Sequence, residues 1–311
     1  MSVFTERNPT LRGFAVTRSL RVAAYVCLFA LTAIPGSAAA QNRSASPDQN
    51  IQPGQLVREM VHNELEGQKN DHTQWRYREL SQQDGKPQEL RDVFDTKDGD
   101  ISRLLAVNGV PLSASQQAKE NERIQKLIGD PDQIRKELKK RSDDVQNERE
   151  MLKMLPDAFR YRYVSTQGDL IELKFTPDPS FHAPNRQAQV FHAMEGKIWI
   201  DARQKRLARI DGVLMSEVKF FDGLLGHLDK GGTFSVMQKD EGDGHWEMTR
   251  LNVGMTGRAL FFKTIAVQQK ESFTDYRQIP ENTTIHQAAE LLEKDSATSA
   301  EAQSAESAAG Q

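Results

Sequence analysis

Histidine, cysteine, serine and carboxylate spacings decide whether this chain carries familiar chemistry. None of the seven histidines forms a His-x-x-x-His pair or joins a cysteine ligand set. His182 and His192 stand ten apart across an Ala-Pro-Asn loop, a spacing that does not by itself make a metal site. The acidic run Asp95-Thr96-Lys97-Asp98-Gly99-Asp100 lacks the alternating ligands and closing glutamate of a calcium loop, so it reads as a hairpin turn. There is no Gly-x-Ser-x-Gly elbow, Walker loop or dinucleotide fingerprint. Carboxylates such as Asp169 and Glu172 read as exposed acids. The sequence points to no catalytic residue, metal or cofactor. What remains is apolar. Trp75, Trp199, Phe221, Phe234, Trp246 and Phe262 lie in strand-like runs, with Met215, Met237, Met248 and Met255 among them. Such residues build ordinary cores, and where a curved sheet outgrows its covering helix they line an apolar ligand cavity.

The elements that would position them follow from periodicity and punctuation. Leu56, Val57, Met60, Val61 and Leu65 recur at helical spacing, which predicts a helix over 55–66 ending at Gly67. Short runs separated by Asp84-Gly85-Lys86-Pro87 and Lys97-Asp98-Gly99-Asp100 predict strands near 73–81, 89–96 and 100–107. Residues 113–155 break the pattern. Ser113 or Ser115 caps a helix that Gly129 stops, and Asp130-Pro131 starts a second helix running to Pro156. Residues 119–153 hold ten Lys/Arg and nine Asp/Glu, the composition of a charged surface hairpin.

The second half reads as strands at 158–164, 170–175, 188–194, 197–201, 206–210 and 214–221. Residues 222–228 read as a short helix or turn. Strands at 233–239, 245–253, 258–267 and 271–278 follow, separated by glycine-rich turns and by a tight turn near 268–270. A last helix is expected over 284–292. About twelve sequential strands without βαβ alternation predict a mainly β (α+β) fold. It would be a curved antiparallel sheet or incomplete β-barrel with a covering helix and an inserted charged helical hairpin.

Composition sets the compartment. Arg7, Arg12, Arg18 and Arg21 precede an uncharged run from Val22 to Ile34, and Ala38-x-Ala40 follows, the three-part pattern of a secretory signal peptide. The run is short for the roughly 20 residues of a membrane span. The only cysteine, Cys27, lies within it, so a cleaved chain has no disulfide, thiol catalyst or lipid-attachment cysteine. Residues 1–40 hold four of the 41 Lys+Arg and one of the 44 Asp+Glu, leaving 37 against 43, a net charge of −6. That disfavours nucleic acid and anionic membranes as partners. The expected organisation is signal peptide 1–40, linker 41–54, half-barrel domain 55–292 with helical insertion 113–155, and disordered tail 293–311.

One phrase is familiar. Gly196-Lys-Ile-Trp-Ile-Asp201, a four-residue turn and Arg206-Leu-Ala-Arg-Ile210 resemble a hairpin of the periplasmic lipoprotein carrier and receptor group (LolA/LolB-like), which has relatives that sense envelope stress. The resemblance spans roughly 55–110 and 157–280. It implies an incomplete antiparallel barrel lidded by helices, a cavity for a lipid or lipoprotein acyl chain, and a periplasmic or secreted protein without catalytic activity. The 113–155 pair has no counterpart in that pattern, and no family residue maps onto a position here. Two other readings stay open: an interaction or sensor module in which the 113–155 helices bind an envelope protein, and a hydrolase with unrecognised carboxylates.

Overall fold

A computed structural model describes residues 52–220, 226–259 and 263–296. The expected signal peptide, the linker as far as residue 51 and the tail from residue 297 lie outside the described residues. Helix α1 (Pro53–Asn70) is followed by strands β1 (Gln74–Gln83), β2 (Glu89–Thr96), β3 (Gly99–Val107) and β4 (Val110–Pro111). Helices α2 (Ala114–Ile128) and α3 (Pro131–Ala158) come next, then β5 (Phe159–Gln167), β6 (Leu170–Pro177) and a 3-10 helix (Gln187–Ala193). Strands β7 (Met194–Asp201), β8 (Leu207–Leu214), β9 (Val218–Phe220), β10 (Gly226–Leu228), β11 (Thr233–Asp240), β12 (Trp246–Ala259) and β13 (Lys263–Ile279) complete the sheet. Helix α4 covers 285–296.

All thirteen strands join one antiparallel sheet in the order β4-β3-β2-β1-β13-β12-β11-β8-β7-β6-β5. Strands β4 and β5 are its edges, so the sheet is open, not a closed barrel. Strand β10 hangs from β12 and carries β9. The long β13 joins the two halves by pairing with β12 over its first part and with β1 over its second.

The inner face carries the main core. Leu56, Val57, Met60 and Val61 of α1 are buried against it. Burying four such side chains contributes about 6–12 kcal/mol before conformational entropy is set against it. On the outer face of β2 and β3, Phe94 and Ile101 pack with Ile124 and Leu127 of α2 and Ile285 and Leu292 of α4. The 113–155 pair therefore folds onto the sheet, not away from it. Ile134 of α3 joins the outer cluster, and Leu138 lies against the β2–β3 turn at Gly99. Further along, Met151 and Leu152 join the inner core, so α3 crosses from one face to the other around the hairpin tip. Helix α2 also covers the open edge of β3. Glu120 Oε1 accepts from Leu104 N at 2.7 Å, and Arg123 donates to the Ser102 carbonyl. Pairing off an exposed edge in this way blocks unwanted strand addition.

The first three strands, both ends of α2 and the start of α3 lie where punctuation predicts them; α3 runs through Pro156, its expected stop, to Ala158. Ser113 N donates to Gln116 Oε1 at 2.9 Å, and Asp130 Oδ1 accepts from Gln133 N at 2.9 Å. Other expectations need correction. Helix α1 takes in Pro53 and Gly54 and continues through Gly67 to Asn70; a β-carbon at Gly67 would stand 3.0 Å from Arg206 Nη1, so this glycine leaves room for a side chain and does not end the helix. Residues 188–194 are mostly 3-10 helix: Ala188, Phe191 and Met194 recur every third residue, the 3-10 period, and Asn185 Oδ1 caps Ala188 N at 2.9 Å. The run 214–221 does not simply continue β8. The chain leaves that strand after Leu214, and Val218–Phe220 pairs only with β10. Residues 226–228 are strand, not helix or turn, and 221–225 lie outside the described residues.

The glycine-rich separator at 254–257 lies inside β12. Gly257 is there because β10 crosses it so closely that a β-carbon would meet the His227 carbonyl oxygen at 2.1 Å. The turn expected at 268–270 is continuous strand, in which Gln269 donates to Glu271 Oε1 at 2.5 Å on the same face. Helix α4 extends to 296, beyond the expected 292.

Candidate functional site: two cavities beneath one helix

Helix α3 walls two unlike cavities. Its C-terminal half roofs an apolar one of about 70 Å³ with Met151, Leu152 and Leu155. Phe159 and Phe175 form one side and Phe191 of the 3-10 helix another, with ring centroids 4.8 and 5.3 Å from Phe159. Ile198, Ile210 and Phe234 close it on the sheet side. Glu148 is the one charged residue among the lining side chains.

Two glycines make the rings fit. Gly196 and Gly212 face each other across β7 and β8. A β-carbon on Gly212 would stand 2.0 Å from Phe234 Cε1, and one on Gly196 would stand 2.8 Å from Phe175 Cζ and 1.9 Å from the Asp211 carbonyl oxygen. The end of α3 is fixed by a neighbour of the cavity. Tyr161 Oη donates to the Leu155 carbonyl at 2.8 Å, capping one of the carbonyls the helix end leaves open. Burial pushes the Tyr161 hydroxyl pKa well above its ordinary value, so it stays a donor.

The second cavity is polar and larger, about 510 Å³. Glu64, Gly67 and Gln68 of α1 face Leu138, Arg141 and Val145 of α3 across it. Val145 walls the polar cavity and Glu148 the apolar one; three residues of helix rise about 4.5 Å, so the cavities lie under consecutive turns. Several charges around the polar cavity come in pairs, and Glu247 and Glu281 line it as well. The Glu64 carboxylate accepts from Arg206 Nε at 2.8 Å, from Arg206 Nη2 at 3.2 Å and from Leu207 N at 2.8 Å, tying α1 to the start of β8. Arg141 Nη2 lies 3.0 Å from Asp95 Oδ1, and Arg141 Nη1 lies 2.9 Å from Asp100 Oδ1. Burial works against the Arg141 charge, but Asp100 and Asp95 outweigh it and raise its pKa. His245 Nδ1 lies 2.9 Å from Asp71 Oδ2, joining the end of α1 to the start of β12.

The aromatic candidates separate. Phe234 lines the apolar cavity and Trp246 the polar one. Trp75 is buried in the core, edge-on to Tyr276 and His245, and lines neither cavity. Trp199 alternates with the inward Ile198 and Ile200, so it lies on the other face, under the Arg209 guanidinium at 4.7 Å. Phe221 and Phe262 lie outside the described residues. Sequence reasoning missed Glu64, Arg141 and Arg206. Glu64 could have been flagged as a charge on the apolar stripe of α1, four residues after Met60.

Sequence spacing also did not flag Glu217, His227 and Asp229, whose ligand atoms lie within 4.8 Å of one another. His227 and Asp229 stand two apart on and just after β10, the same-face spacing of a strand.

No helix among the described residues is long and apolar enough to cross a membrane. The chain matches no family model, no curated protein and no solved structure.

Proposed function

We propose that the protein is an exported, non-catalytic carrier that buries an acyl chain of a lipid or lipoprotein between the inner face of the sheet and the C-terminal half of α3. The observation that carries this reading is the apolar cavity itself, set against an open antiparallel sheet and roofed by a single helix. The basic, apolar and small-residue segments at the start of the chain support export, and the resemblance of the 196–210 hairpin to the lipoprotein carriers supports the ligand class. The driving force is burial, about 0.8 kcal/mol per methylene.

At about 70 Å³ the cavity is smaller than the ~150 Å³ void that accepts benzene. A full chain therefore enters only if α3 lifts. Pro156 near its end removes one helix hydrogen bond, and Arg141 holds it to β2 and β3. The roof itself is Met- and Leu-based, adaptable apolar surface.

The test is titration with a fluorescent polyene fatty acid. Saturable binding with enhanced emission, lost in Ile210→Phe, which fills the cavity, supports the reading. No enhancement, or binding indifferent to that variant, refutes it.

A further inference from the structure

We propose that Glu217, His227 and Asp229 bind a divalent transition-metal ion of the zinc class, which clips β9 to β10. Their ligand atoms lie within 4.8 Å of one another. The backbone brings them together. Val218 is the register partner of Leu228. One step outward sets Glu217 opposite Asp229, with His227 two residues before Asp229 on the same face. Val218 and Leu228 are buried in the core, so the residues alternating with them face out. The side chains of Glu217, His227 and Asp229 are 41%, 25% and 45% exposed, and an ion reaches them directly from solvent. Asp229 N donates to the Thr256 carbonyl at 2.9 Å, which ties the end of β10 to β12.

The donor set selects the ion. One imidazole and two carboxylates suit zinc and its transition-metal neighbours, whereas magnesium and calcium prefer oxygen ligands alone. His227 Nε2 and Asp229 Oδ1 stand 3.2 Å apart. Ligand atoms around a tetrahedral zinc ion at about 2.1 Å stand ~3.4 Å apart, so this pair already has the required bite. Glu217 completes the set by a side-chain rotation at the surface. Cations of the protein compete for the same place. Lys219 Nζ lies 3.5 Å from Glu217 Oε1, and Arg258, the β12 register partner of His227, is exposed. An ion held by all three ligands displaces the lysine. Among the described strands β9 pairs with β10 alone, and it lies beside the 3-10 helix whose Phe191 walls the apolar cavity. The ion would therefore brace a strand with one sheet neighbour. The site stands whether or not the apolar cavity takes an acyl chain.

The experiment is calorimetric titration of chelator-treated, tag-free protein with zinc chloride, with magnesium and calcium chloride as controls. Zinc is expected to bind at one equivalent while the controls do not, and to slow amide exchange in β9. His227→Ala should weaken zinc binding at least about tenfold, since loss of an outer-shell partner alone costs about 10–100-fold. Asp229→Asn is the second variant, should the first fail to fold, and should weaken it likewise. His286→Ala, on α4, should leave binding unchanged. Lys219→Met removes the competing cation and should tighten binding about two- to fivefold, the worth of an exposed ion pair. The proposal is overturned if zinc shows no saturable binding below about 100 μM, if binding survives His227→Ala and Asp229→Asn unchanged, or if magnesium or calcium binds as well as zinc.

Discussion

Arg141→Met tests how α3 is held over the inner face. Methionine keeps the length of the side chain and a high helix propensity, so the helix itself should persist. What disappears is the guanidinium between Asp95 and Asp100. These two aspartates are register partners across β2 and β3, with side chains only 8% and 6% exposed. Removing one member of a buried charge cluster typically costs about 3–5 kcal/mol, because the charges left behind are neither solvated nor compensated. At about 2–4 °C per kcal/mol for a chain of this size, Tm should fall by about 6–20 °C. Circular dichroism melting measures this directly. Adding Asp95→Asn and Asp100→Asn to Arg141→Met removes the repulsion and should restore at least half of the loss. Amide exchange in α3 should quicken in the single variant. A loss below about 1 kcal/mol, or a triple variant less stable than the single one, would refute the clamp.

Three further outcomes follow from the geometry. Gly212→Ala places a β-carbon where the Phe234 ring now sits, so it should cost about 1–3 kcal/mol in chemical denaturation, and Phe234→Leu in the same chain should recover part of it. Asp178 accepts from Ser180 Oγ at 2.7 Å, from Ser180 N at 2.8 Å and from Arg160, which lowers its pKa to about 2; carboxyl NMR titration should find that midpoint, and Ser180→Ala should move it upward. Burial opposes ionisation of Glu120, but hydrogen bonds from Arg123 and Leu104 outweigh it and hold its pKa below the usual carboxylate range. Its contribution to stability is present above the unfolded value of about 4.3 and is lost as pH falls through the lower folded value. Glu120→Gln should therefore be less stable than the parent at neutral pH, and the Tm difference should narrow as the pH drops below about 4.

What the sequence made legible was local. The turn at Lys97-Asp98 and the caps at Ser113 and Asp130 act within a few residues, and the structure places them as read. The expectation of an open antiparallel sheet with covering helices and a charged helical insertion also agrees with the structure, because strand alternation and the scarcity of long helical runs carry that information. What failed depended on distant partners. Gly67 and Gly257 look like breaks, yet each lies inside an element and yields space to a side chain or strand remote in sequence. Residues 188–194 mix apolar positions that suit either a strand or a 3-10 turn, and only the Asn185 cap and the following strand decide.

Aromatic wealth pointed to an apolar cavity, but Trp75 went to the core and Trp199 to the outer face, since one residue of phase decides the side of a sheet. The ion pairs around the polar cavity join residues as far apart as Glu64 and Arg206, which no spacing rule connects.

The most direct test of the carrier reading is solvent extraction and mass spectrometry of the protein purified without detergent. The expected result is co-purified acyl lipid near one molecule per chain, lost in Ile210→Phe. A folded protein that yields no lipid and takes up no polyene fatty acid, even with the α3 clamp loosened by Arg141→Met, would contradict it.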